Sequence, residues 1–188
     1  MGAGARGRTC ARLVQPAVAL WALALHVASV PAHGVELQAE SAVKAAFVLR
    51  FLGYVQWPPG AARDRPLGIA VLGDAALAMN LEELARGRSV DGRALRIRRI
   101  DSPSQAAGSD VLVVGASRRW TLGAVLKPVE ERAILVITAE EGALDAGSVI
   151  NFLKEEERIR FEISLPAAQG RGLRVSSELL SVAARVRR

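Results

Sequence analysis

The chain of 188 residues holds one cysteine, Cys10, and two histidines, His26 and His33. Cys10 and His26 fall in a leader-like stretch, so the remainder carries no thiol and a single imidazole. A Ser-His-Asp or Cys-His nucleophilic site cannot be assembled there without its general base. Zinc and related metals lose their usual sulfur and nitrogen ligands, and no disulfide can brace the fold. Nucleotide signatures are missing too. Neither GxGxxG nor a phosphate loop ending in Gly-Lys-Ser/Thr occurs, and the run at 67–72 is followed by Gly73-Asp74-Ala75-Ala76-Leu77, with one glycine. Carboxylates do occur in groups (Glu82-Glu83, Glu130-Glu131, Glu140-Glu141 and 155–157). They read as solvated acids, since neighbours in sequence do not face each other on a helix. The expectation is a non-enzyme without cofactor or metal.

What is present begins with an address. Arg6, Arg8 and Arg12 precede an almost wholly apolar run at 13–30, and Val30-Pro31-Ala32 offers small residues at the two positions a signal peptidase reads. Residues 1–32 are expected to be a signal peptide cut after Ala32, leaving 33–188 as one exported domain in the periplasm. Pro16 and the alanine-rich texture argue against a retained span, and Cys10 lies before the apolar run, badly placed for a lipoprotein cut. The 25 basic residues less the three in the leader leave 22 against 19 acids, so the net charge of +6 falls to about +3. Arginines are spread along the chain with acids between most clusters. That pattern reads as solvated surface, and with the exported address it argues against nucleic acid as a partner.

The pattern along the rest predicts an α/β fold. Residues 35–55 read as a helix with acids near its start and apolar residues on most sides, buried on more than one side and stopped by Trp57-Pro58-Pro59-Gly60. Trp57 is either a core plug under this turn or an aromatic anchor for a partner. A buried strand at 67–72, a helix at 75–85 closed by Gly87, a turn at Val90-Asp91-Gly92 and a strand at 95–100 follow. Next come a short helical turn from Asp101, a strand at 111–114, a helix at 118–126 capped by Ser117 and a strand at 133–137. Alternation of this kind implies a mainly parallel sheet with helices on both faces. Asp74, Asp101 and Ser117 should then emerge together at the edge where parallel strands end, a candidate pocket for a small ligand.

Residues 147–165 carry the clearest pattern. Ile159, Phe161, Ile163 and Leu165 alternate with Arg158, Arg160, Glu162 and Ser164, as in a strand with one buried and one wet face. With the apolar run at 149–153 and a loop at 154–157 this predicts an antiparallel hairpin. Arg158, Arg160 and Glu162 on its wet face, with Trp57, are the candidate partner-binding residues. A last helix at 178–186, capped by Ser176 or Ser177, closes the chain.

An ordered set of segments resembles the YfiR/HmsC-like periplasmic family. It comprises Ala45-Ala46-Phe47-Val48-Leu49-Arg50-Phe51, Tyr54-Val55-Gln56-Trp57-Pro58, the strand closing in Gly73, Gly147-Ser148-Val149-Ile150-Asn151-Phe152, Arg160-Phe161-Glu162-Ile163, and Gly172-Leu173-Arg174-Val175-Ser176-Ser177-Glu178-Leu179-Leu180. The resemblance implies a protein that binds the periplasmic sensor region of an inner-membrane diguanylate cyclase and represses it, controlling cyclic di-GMP and biofilm output. An outer-membrane lipoprotein and a homodimer are further partners it suggests. The better-known relatives carry cysteine pairs; the thiol-free domain here excludes redox control by its own cysteines. The alternative is a small-molecule-binding sensor domain acting on another membrane partner such as a sensor kinase.

Overall fold

Short aliphatic runs supply the centre of the sheet, and the computed structural model describes residues 32–60, 64–115 and 120–188, with side chains from Glu36 onward. Residues 1–31 of the expected leader, and Ser117, lie outside the described residues. In chain order the elements are α1 (Ala32–Leu52), β1 (Val55–Gln56), β2 (Leu67–Leu72), α2 (Ala75–Ala85), β3 (Ser89–Val90), β4 (Arg93–Ile100) and β5 (Val111–Val114). Then come α3 (Leu122–Leu126), β6 (Leu135–Thr138), β7 (Ile150–Glu155), β8 (Arg158–Ser164), α4 (Leu165–Gly170), β9 (Arg174–Val175), α5 (Ser177–Val182) and β10 (Arg185–Arg187). Eight strands form one sheet in the order β10-β8-β7-β6-β5-β2-β4-β3. Its centre is parallel, β7 and β8 form the antiparallel hairpin, and β1 pairs with β9 separately.

Strands β2, β5 and β6 are buried almost throughout because both sheet faces are covered. On one face Ile69, Val71, Val113 and Ile137 meet α1 and α2 through Phe51, Leu52, Leu77 and Leu81. On the other, Leu72, Leu112 and Val136 meet α3 and the short 3-10 turns through Ala106, Val125 and Val129. Burial of each such side chain contributes about 1.5–3 kcal/mol. Arg171 sits inside this assembly, 8 % exposed. Its guanidinium donates to the carbonyls of Val129, Glu130 and Gly147, and burial lowers its pKa below the usual arginine value.

Four local expectations are corrected. The first helix ends at Leu52 rather than running to the Trp-Pro exit, because Val55 and Gln56 pair with Val175 and Arg174. The helix after β5 starts at Leu122, capped by the Thr121 hydroxyl, and Trp120 and Thr121, expected inside it, stand before it; Arg118 lies outside the described residues. The hairpin turn is two residues, Glu156 and Glu157, since Glu155 already faces Arg158 and Glu156 takes φ 54. The last helix stops at Val182 and the basic tail is strand β10, parallel to β8 with Val186 opposite Ile163. Alternation in Arg185-Val186-Arg187 and an open strand edge outweigh helix propensity there.

Candidate functional site

The hairpin projects beyond β6, with only Ile150 and Asn151 of β7 paired to that strand. One hairpin face carries Phe152, Phe161 and Ile163 into the core under α1. The opposite face holds Arg158 and Arg160, both exposed. Glu162 shares that face, but its side chain is only 12 % exposed. It accepts a 2.9 Å hydrogen bond from Asn151 Nδ2 and lies 3.8 Å from Arg185 Nε. Asn151 Oδ1 lies 2.8 Å from Thr138 Oγ1, and Thr138 Oγ1 lies 2.9 Å from Ser148 Oγ. A polar chain therefore crosses from β6 to β10, each buried member satisfied, and Glu162 is part of it. Of the three hairpin candidates, Arg158 and Arg160 are the two left facing solvent.

The hairpin tip is joined to the start of α1. Lys154 Nζ donates to Glu36 Oε1 at 2.8 Å and lies 3.7 Å from Glu40 Oε2. The Glu36 carboxylate, by hydrogen bond and charge, raises the Lys154 pKa above its ordinary value. Between tip and helix lies a hollow of about 520 Å3 lined by Ala39, Val43, Ile159, Arg158 and Arg160. Val43 is 44 % exposed and Leu37 59 % exposed. The apolar pattern of this helix does not say where the sheet beneath it ends. Among the described residues β10 pairs with β8 only from Glu162 to Ser164, and no strand covers the outer backbone edge of 158–160.

Trp57 lies elsewhere. It is half-buried, packs against the core, and its indole N–H donates to Asp110 O at 3.3 Å. It lines a cavity of about 630 Å3 together with Pro58, Arg93, Gly172 and Arg174. Beneath it sits a cluster that sequence reading missed. Asp110, 3 % exposed, accepts from Arg65 Nη1 at 2.9 Å, Arg65 Nη2 at 3.1 Å, Arg93 Nη2 at 2.8 Å and Gly68 N at 2.8 Å. No local signal announces it: Arg65 is 45 residues away, and an aspartate before a strand reads as a turn residue.

Of the strand-end candidates, only Asp74 lines a hollow among the described residues. A hollow of about 370 Å3 is lined by Asp74, Gly115, Ser41, Lys44 and Phe152. Asp74 Oδ1 accepts from Leu77 N at 2.8 Å and so caps α2. Asp101 is exposed and does not line this hollow; its backbone N–H donates to Gln105 Oε1. Gly115 is required by proximity, since a Cβ there would stand 2.6 Å from Asp74 Cβ and 3.2 Å from Asp74 N. Gly115→Ala is expected to cost about 1–3 kcal/mol through overpacking, read as a lower urea midpoint at unchanged slope. A loss within about 0.5 kcal/mol, the range of ordinary surface substitutions, would show that this turn can relax.

A family model described as YfiR/HmsC-like matches residues 41–184. No curated protein matches. Among solved structures, a conserved domain protein from Vibrio cholerae O1 biovar eltor str. N16961 superposes with a TM-score of 0.53 at 14 % identity. The match covers 78 % of this chain and 60 % of that one, so this chain spans about three fifths of its length. An ABC domain from Streptococcus pneumonia, in complex with L-Trp, gives 0.48 at 10 % identity over 63 % of this chain and 54 % of that one. At these identities the Vibrio likeness is one of fold.

Proposed function

The chain belongs to the YfiR/HmsC-like family, and on that premise we propose that it binds the periplasmic sensor region of an inner-membrane diguanylate cyclase and holds the cyclase inactive. The family is regulatory and associated with membrane diguanylate cyclases. Repression from outside the membrane lowers cyclic di-GMP, and with it biofilm output. The family match over 41–184 is the observation that carries this reading. The surface between the hairpin tip and α1 supports it, because half-exposed Val43 beside Arg158 and Arg160 combines apolar area with guanidinium groups, the mixture enriched in protein interfaces. Without thiols in the exported domain, an inducing signal acts through binding or release of a partner.

Affinity capture of the tagged domain from detergent-solubilised membranes is the direct test. A cyclase with an extracytoplasmic sensor segment is expected among the captured proteins. Arg158→Glu with Arg160→Glu is expected to cut its recovery about tenfold or more and to raise cellular cyclic di-GMP, with the urea midpoint unchanged. Capture without any such cyclase defeats the reading; undiminished capture by the folded variant removes the hairpin tip from the interface. A small-ligand sensor is the second reading. The roughly 630 Å3 cavity beside Trp57 favours it, being within the size range of small-molecule sites. A metabolite that binds only the folded domain would raise its thermal midpoint.

A further inference from the structure

Strand β4 is longer than the strand that covers it. Its inner side pairs with β2 from Leu95 to Ile100, whereas β3 covers only Arg93 and Ala94. Asp91 and Gly92 both take positive φ, 50 and 78, as in a two-residue hairpin turn whose flanking residues exchange both hydrogen bonds. Arg93 therefore aims its N–H and C=O outward, and by alternation so do Leu95, Ile97 and Arg99. Among the described residues no strand pairs with them.

The side chains on this margin are unusually uniform. Positions 86–99 contain six arginines and one acid, Asp91. Arg93 is committed to Asp110 and Arg86 to Glu83. Arg88, Arg96 and Arg99 have no carboxylate partner among the described ion pairs, and Arg98 donates only to Gln105 O and Ser109 Oγ. Arg96 and Arg98 lie on one face of β4; Leu95 and Ile97, both half-buried against the core, lie on the other with Arg99. A single charge suffices to blunt a strand edge, and four uncompensated guanidinium groups do more: they repel a second copy of this edge and attract a carboxylate-bearing strand.

We infer that the open margin of β4 receives an extended segment of a partner protein in which acidic and apolar residues alternate. Backbone groups of Leu95, Ile97 and Arg99 pair with it. Acids on one of its faces meet Arg96 and Arg98, and apolar side chains on the other extend the patch of Leu95 and Ile97. This is strand addition with charge as the selector. The site is at the opposite margin of the sheet from the hairpin and does not depend on the cyclase reading.

The probe is a synthetic peptide alternating glutamate and valine, about eight residues long to span an edge of roughly 20 Å. Its counterpart has lysine for glutamate, and vesicles of phosphatidylglycerol with phosphatidylcholine test a membrane instead. The glutamate peptide is expected to bind saturably, more weakly as salt rises, and to slow amide exchange at Leu95, Ile97 and Arg99. Arg96→Glu with Arg98→Glu is expected to weaken it about tenfold or more, and Arg96→Gln with Arg98→Gln by less. Absence of saturable binding, equal binding of the lysine peptide, or binding without slowed exchange at those three amides would each overturn the proposal. So would vesicle binding through the same arginines with no protection by the peptide.

Discussion

Replacing Asp110 with alanine is expected to lower the unfolding free energy by about 3–5 kcal/mol, the scale for breaking a buried ion pair from one side. Arg93, with a side chain 6 % exposed, would keep its charge and lose its carboxylate. Asp110 also takes hydrogen bonds from Gly68 N to its side chain and from Leu135 N to its carbonyl, so it links β2, β4, β5 and β6 at one end of the sheet. Arg65 contributes less of the cost, since 41 % of its side chain is exposed and water can replace the carboxylate there. The cause can be isolated with a second substitution. Adding Arg93→Met to Asp110→Ala should recover about 0.5–3 kcal/mol, because the stranded cation is removed and an apolar side chain of similar length takes its space. Urea unfolding at unchanged slope reads both values. A single variant within about 1 kcal/mol of the parent would mean that the cluster is solvated and structurally idle.

The second large effect is expected at Phe51. All four phenylalanines of the chain, Phe47, Phe51, Phe152 and Phe161, meet in one cluster between α1 and the hairpin. Phe51 is 1 % exposed and stands edge-on to Phe161 with ring centroids 4.8 Å apart; Phe152 is at 5.8 Å and Phe47 at 5.9 Å. Phe51→Ala is expected to cost about 3–5 kcal/mol, the transfer term plus an unfilled cavity. Amide exchange in β7 and β8 should quicken with it, because the cluster is the main packing under the hairpin. Phe47→Ala should cost less, its ring being half-buried. Equal losses at both positions would contradict a cavity at Phe51 as the source. Capture of the proposed cyclase partner should weaken with Phe51→Ala, since α1 and the hairpin tip line one hollow.

Some of this was legible in the chain because it is local. The run at 67–72, the two central strands and the alternation at 158–164 each follow from periodicity within a few residues. The order of segments also carried the family resemblance, and the match over 41–184 agrees with it. Element ends were less legible. Gly53 and Tyr54 turn the chain so that Val55 can pair with Val175, a partner invisible to a window around residue 55.

By itself the sequence determined that the core is a mainly parallel sheet clad by helices and that the hairpin has a wet side. Those follow from residue types and from periods of two and 3.6, which need no knowledge of distant partners. Only the tertiary structure decided that Asp110 gathers Arg65 and Arg93, that Glu162 is held in a polar chain while Arg158 and Arg160 stay free, and that β4 outruns its neighbour. Each depends on segments tens of residues apart meeting at a fixed register, and register comes from the packing of the whole sheet.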